Sequence, residues 1–115
     1  MTAPTQGKDT PLEISVQDLK RLIDDGAAGA VVDVREVWEH ETCRIPGSVL
    51  MPLSNFAKHV AGLDPAQPIY LYCHHGARSL QAAMWLRRNG FAGAASVKGG
   101  IDAWSLEIDS AMPRY

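Results

Sequence analysis

Cysteine is scarce: two in 115 residues, Cys43 and Cys73. Two thiols cannot staple a small fold, which excludes the disulfide-built secreted class. No C-x-x-C spacing occurs, which argues against a dithiol redox centre and a thiolate-rich zinc site. Long apolar runs are missing as well, and a membrane helix needs roughly 20 such residues. The opening stretch, MTAPTQGKDT, holds no apolar core of the secretory-signal kind. The expectation is a cytoplasmic protein with reduced thiols and no membrane partner. Nor does one charge dominate. Lys and Arg number 11, Asp and Glu 13, giving a net charge of −2 and a pI near 6.0. A protein built to grip nucleic acid needs a basic surface, so no nucleic-acid partner is expected.

What is present is ordinary globular usage, 46% hydrophobic and 21% charged. The length fits one domain able to bury its own core. Residues 1–11 are polar and turn-rich and read as a flexible N-terminal tail, leaving 12–115 as the domain. Short apolar runs then alternate with helical patterns, the mark of βαβ units and a mostly parallel sheet. Strands are predicted at 30–34, 48–51, 69–73 and 95–97. A helix is predicted after Ser15, its N-cap, with Val16, Leu19, Leu22 and Ile23 on one face and Gly26 closing it. Others are predicted from Ser54 to about Gly62, from Ala77 to Asn89 with Leu80, Ala83 and Met84 on one side, and from Asp102 to Ile108.

The chemistry concentrates in Cys73-His74-His75-Gly76-Ala77-Arg78-Ser79. A cysteine at the carboxyl end of a buried strand is followed by a glycine-containing loop and a helix. Ligands of open α/β sheets bind at that end. The loop N–H groups and the helix N-terminus favour an anion, and the thiolate is the nucleophilic form of cysteine. The 74–79 loop thus forms a candidate anion cradle around Cys73. Gly76 permits a backbone conformation closed to other residues, and Arg78 supplies a permanent charge for the oxyanion end of a substrate. A free cysteine is also an ordinary core residue; the loop and helix after it favour chemistry. His74 and His75 either tune the thiolate and meet the anion, partly protonated near pH 7, or merely shape the loop.

These residues resemble a family, the single-domain rhodanese-like sulfurtransferases. Val32-Asp33-Val34-Arg35-Glu36, continuing to Glu39, is similar to that family's D-x-R-x-x-x-E segment. Arg44-Ile45-Pro46-Gly47-Ser48 is similar to H-I-P-G-A, with Arg44 where His is usual. The 73–79 stretch is similar to the active-site loop, and Gly99-Gly100-Ile101-Asp102-Ala103-Trp104 to the G-G-x-x-A-W ending. The four lie in the family's order over about residues 12–107.

The resemblance implies an α/β fold, an open five-stranded parallel sheet with helices on both faces. It implies a ping-pong transfer of sulfane sulfur through a Cys73 persulfide. The donor would be thiosulfate or a similar compound, the acceptor cyanide, a thiol or a sulfur-acceptor protein. Sulfite leaves without a proton, so no acid catalyst, cofactor or metal is needed. Asp33 and Arg35 are framework in this reading: Asp33 would bond loop amides and Arg35 would pair with an acid such as Glu39.

Alternatives remain beside it. The domain can be a persulfide carrier or interaction module in a sulfur relay. Phosphatases and arsenate reductases of the same fold place five residues between Cys and Arg; here four separate Cys73 from Arg78. Cys43 is either a resolving thiol or a spectator. A metal at Cys73-His74-His75 is not expected, because neighbouring side chains diverge, and His40-x-x-Cys43 is at most half a site. Trp38, Trp85 and Trp104 read as packing.

Overall fold

Four-residue apolar runs are too short for helices and long enough for buried strands. In the computed structural model, which describes residues 11–115, they form β2 (Ala30–Asp33), β4 (Ile69–Tyr72) and β5 (Ala94–Val97). Two-residue strands, β1 (Glu13–Ile14) and β3 (Val49–Leu50), flank them. Every pairing is parallel and the order is β1-β5-β4-β2-β3. Residues 1–10, most of the expected tail, lie outside the described residues. The carbonyl of Pro11 accepts a hydrogen bond from Arg87 Nη2 at 2.9 Å.

Parity along the strands sorts the core into two layers. Val32 and Val34 of the β2 segment, and Ile69, Leu71 and Cys73 of the β4 segment, face one side. They pack on α3 (Phe56–Val60) and α4 (Ala77–Arg88), through Phe56, Val60, Ala82, Ala83 and Leu86. Val31, Tyr70, Tyr72, Ala95 and Val97 face the other side. They meet α1 (Val16–Asp24) and α5 (Gly100–Glu107), through Val16, Leu19, Ile101 and Trp104. Helices therefore cover both faces of the expected sheet.

The start and stop signals act as read at α1. Ser15 Oγ accepts from Asp18 N at 3.0 Å, and Gly26, at φ +71°, follows the last turn. Elsewhere the structure corrects the sequence. Ser54 does not cap a helix; it lies inside a 3-10 turn, Leu53–Asn55, and α3 starts behind Asn55. Met84 faces solvent, and the buried face of α4 is Ser79, Ala82, Ala83 and Leu86. Small residues there let the helix lie close to the sheet. Two elements carried no readable period: β1, a two-residue edge strand, and α2 (Val37–Thr42), held by a capping box between Glu36 and Glu39. Trp104 is buried, whereas Trp38 stands exposed, its ring edge-on to Tyr115, and Trp85 packs edge-on to Phe56 at the rim.

The chain moves outward from β2 to β3, then crosses back over β2 to β4 before reaching β5. Connections leave β2 and β4 in opposite directions, which opens a crevice at their carboxyl ends, the usual ligand position of such sheets. Asp33 ends β2 and Cys73 follows β4 at that end of the sheet.

Candidate active site

Cys73 follows the last residue of β4 and is 1% exposed. Its sulfur accepts hydrogen bonds from Gly76 N at 3.1 Å, Ser79 N at 3.4 Å and Ser79 Oγ at 3.5 Å. Gly76 is the N-cap of α4, at φ +112°, where an L side chain would be strained. Having no side chain, Gly76 cannot cap the helix itself. The Cys73 sulfur takes the place of the missing cap by accepting from Ser79 N, the third helical N–H. The positive end of the α4 dipole therefore points at the sulfur. Of the expected 74–79 cradle, the N–H groups that bond to the sulfur are those of Gly76 and Ser79. Ala77 is exposed at the first helical position.

The loop is clamped from outside by the start of α5. Ile101 N donates to Cys73 O at 2.9 Å and Asp102 N to His74 O at 3.1 Å. Gly100, at φ +60°, makes this approach possible: a Cβ there would sit 2.4 Å from Cys73 O and 2.5 Å from His74 O. The Gly99-Gly100 pair thus serves close backbone passage against the active loop.

Beside the thiol lies a set of ions. Asp33 and Arg35 are both fully buried. Arg35 donates from Nε to Asp33 Oδ1 at 2.8 Å and from Nη2 to Asp33 Oδ2 at 2.7 Å, a bidentate pair. Its other donors reach Cys43 O at 2.5 Å and the Tyr115 hydroxyl at 2.8 Å. Asp33 also accepts from its own loop amide, Arg35 N, and from the Tyr72 hydroxyl, and it pairs with His40 Nδ1 at 2.8 Å. This corrects one expectation, since Arg35 pairs with Asp33 and not with Glu39, and it places the loop amide that Asp33 bonds in the segment after β2, at Arg35 N. Parity explains it: Asp33 points to the Tyr72 side of the sheet, away from Cys73. His40 is thereby committed to Asp33, and Cys43 lies in the core layer opposite Cys73.

Glu39 pairs instead with Arg78, at 2.9 and 3.0 Å in a second bidentate fork. The Tyr115 hydroxyl donates to the same carboxylate at 2.7 Å. The Arg78 fork holds the Glu39 carboxyl down to about 2 against the cost of its burial, helped by the Glu36 backbone and Tyr115. Burial pushes the Tyr115 phenol up to about 12, so it stays a donor. Arg78 was expected to offer its charge to the substrate. That charge is already matched by Glu39, and an incoming oxyanion would have to compete for it.

His74 is sandwiched between His75 and Tyr115, with ring centroids 4.0 Å apart on each side. Burial, and then the neighbouring His75, press its pKa below the ordinary histidine value. Its ring therefore holds a proton less readily than an ordinary histidine does. The expectation that His74 and His75 diverge is also corrected. Their donor nitrogens and Asp102 fall within 4.8 Å of one another. The two rings stack 25° from parallel, however, and an ion can lie in the plane of only one of them, so the arrangement as it stands is no chelate. Asp102 is meanwhile held by Arg114, at 2.9 Å.

Sequence reasoning missed Tyr115, Asp102 and Ser96. Tyr115 lies outside every motif and is joined to the site only by the fold. Ser96 did leave a signal, a lone hydroxyl in the apolar run Ala94-Ala95-Ser96-Val97. It is fully buried, 2.7 Å from Ser79 Oγ.

This strand–thiol–glycine–helix arrangement defines a class, and comparison with known proteins gives its family. The family model described as Rhodanese-like domain matches residues 15–107. The chain belongs to the rhodanese-like family. It is similar to the chloroplastic Rhodanese-like/PpiC domain-containing protein 12 of Arabidopsis thaliana, 33% identical over 110 residues, covering 90% of this chain and 37% of that protein. It is also similar to YrkF of Bacillus subtilis (strain 168), provisionally named a sulfur carrier protein. The identity there is 36% over 93 residues, covering 81% of this chain and 50% of YrkF. The chain thus spans half or less of these two curated relatives. Among solved structures it is similar to the human single-domain sulfurtransferase TSTD1 (TM-score 0.74, 26% identical, 84% of this chain and 97% of that one). A rhodanese-like domain protein from Staphylococcus aureus superposes at TM-score 0.78 with 26% identity, covering 91% of this chain and 99% of that one.

Proposed function

We propose that the protein is a sulfurtransferase that carries sulfane sulfur on Cys73. The Cys73 thiolate attacks the outer sulfur of thiosulfate or a similar donor. The donor's S–S bond breaks, its electron pair leaves with sulfite, and a Cys73 persulfide remains. A thiolate or cyanide acceptor then attacks the terminal sulfur, and the electron pair of the breaking bond returns to Cys73 as thiolate. Charge balances in both halves without a proton, which suits a site where, among the described residues, the groups that donate to the sulfur are two amides and a serine hydroxyl. The observation that carries this reading is the sulfur itself, turned into the amides of Gly76 and Ser79 at the positive end of α4. These fixed dipoles serve a thiolate and a persulfide alike.

A second reading has its own support. One relative, YrkF, is provisionally named a sulfur carrier, and Cys73 is deeply seated. A carrier is loaded and emptied by partner proteins and turns over small acceptors poorly. Phosphatase or arsenate reductase chemistry is disfavoured, because the loop is one residue shorter and Arg78 is matched by Glu39. The proposed compartment is the cytoplasm, which suits two free thiols. Among the described residues no helix is long and apolar enough to cross a membrane.

The test is the intact mass of the protein after incubation with thiosulfate, beside Cys73→Ser. A gain of one sulfur atom, removed by reductant and absent in the variant, is expected. Loading followed by slow release to cyanide and small thiols supports the carrier reading. No loading by thiosulfate, glutathione persulfide or polysulfide, with turnover of a phosphate or arsenate substrate, overturns both.

A further inference from the structure

Behind the thiol, away from the crevice, two buried hydroxyls meet. Ser79 and Ser96 are both fully buried, one on α4 and one on β5. By strand parity Ser96 faces the same layer as Cys73, where its neighbours in the strand and helix are Ala94, Ala82 and Ala83. Alanine would fill that layer without the cost of burying a hydroxyl. A buried hydroxyl must therefore be hydrogen-bonded, and its partners define its use.

The protons can be counted. Ser79 Oγ has one proton and three acceptors within reach: Ser96 Oγ at 2.7 Å, Gly76 O at 3.2 Å and Cys73 Sγ at 3.5 Å. Ser96 Oγ has one proton and two acceptors: Ser79 Oγ and Gly76 O at 3.5 Å. Two arrangements satisfy both groups. In one, Ser79 donates to Ser96 and Ser96 to Gly76 O, which leaves the sulfur without a hydroxyl donor. In the other, Ser96 donates to Ser79, and the Ser79 proton is released to Gly76 O or to the sulfur. A neutral thiol accepts weakly, but a thiolate accepts strongly and selects the second arrangement.

We propose that Ser96 is a positioning residue for Cys73: by donating to Ser79 Oγ it turns the Ser79 hydroxyl onto the sulfur when the sulfur carries charge. The pair is a two-hydroxyl switch that answers the charge of the nucleophile and moves no proton between residues. It rests on the reading of Cys73 as the reactive thiolate. Ser96 itself touches neither the sulfur nor the crevice.

The experiment follows the thiolate ultraviolet absorbance of Cys73 against pH, taken for each protein as the difference from its own Cys73→Ala version. Ser96→Ala is expected to move the titration midpoint up by roughly half a pH unit to one unit. Ser79→Ala should move it at least as far, and the double variant no further than Ser79→Ala alone, because Ser96 acts only through Ser79. A shape-matched pair, Ser96→Thr and Ser96→Val, isolates the hydroxyl should the alanine variant fold poorly: only Ser96→Val should shift. An unchanged midpoint in Ser96→Ala, additive effects in the double variant, or equal shifts in the Thr and Val variants would overturn the switch. Persulfide loading of the wild type by thiosulfate, measured alongside, separates the two failures. Loading with an unshifted Ser96→Ala sinks the switch alone, while no loading and no Cys73 thiolate signal sinks the nucleophile and the switch with it.

Discussion

The two faces of the sheet treat charge in opposite ways. On the Cys73 side the hydrogen-bond donors to the sulfur, among the described residues, are neutral: two backbone amides and a hydroxyl at the end of a helix. On the Tyr72 side, and across the mouth to Arg78, full charges stand in matched forks, Asp33 with Arg35 and Glu39 with Arg78, joined through Tyr115. Fixed dipoles can favour an anion that comes and goes, since they need no partner when it is absent. Buried ions cannot be left alone, so each is paired permanently and becomes architecture. Chemistry and framework are thus divided by the kind of electrostatics, although they touch at one loop.

Substitutions should break along that division. The largest effect on chemistry is expected from Cys73→Ser: complete loss of persulfide by mass, with unfolding free energy within about 1 kcal/mol of the wild type, because the hydroxyl can accept the same two amides. The largest effect on stability is expected from Asp33→Ala, which leaves the Arg35 guanidinium buried without its carboxylate. Urea unfolding should show a loss of about 3–5 kcal/mol, while the folded fraction still loads sulfur. If Asp33→Ala folds normally but cannot load, Asp33 belongs to the chemistry and the division is wrong. Gly100→Ala lies on the boundary. Its methyl would collide with Cys73 O and His74 O at a positive φ, for a cost of about 2–4 kcal/mol. Unlike Asp33→Ala it should also slow loading, because it displaces the loop that carries the amides.

Much of the sulfur side was legible in the sequence, since it is local. Gly76 and the start of α4 follow Cys73 within a few residues, and the helix start signals act over the same range. The ion side was legible only as a list of residues. Asp33, Arg35 and Glu39 were recognised, but Arg35 was given the wrong partner, because pairing depends on strand parity and on where α2 lies, and α2 was not read at all. Its six residues bury only Glu39 and so carry no apolar period. Arg78 was given to the substrate because nothing within the loop opposes it; its partner is 39 residues away. Tyr115 reaches the site from the far end of the sequence and left no local trace.

The smallest predicted effect tests the Arg78 fork itself. The folded Glu39 carboxyl titrates at about 2, lowered from an ordinary 4.5 chiefly by Arg78. A folded value below the unfolded one means stability that is fully present above about pH 4.5 and is lost as pH falls toward 2. Shifts of this size correspond to roughly 3 kcal/mol at most, and Arg78 is 38% exposed, so solvent screening reduces it to about 1–2 kcal/mol. Glu39→Gln should therefore be less stable than the wild type by that amount at pH 6, with the gap closing as both are taken to pH 2. The same variant frees the Arg78 charge beside the thiol. If the fork is what keeps that charge from the donor, Glu39→Gln should load from thiosulfate at a lower concentration than the wild type, and Arg78→Ala should leave the concentration dependence nearly unchanged. The reverse pattern, with Arg78→Ala needing far more thiosulfate and Glu39→Gln behaving as wild type, would show that the guanidinium serves the substrate despite its partner.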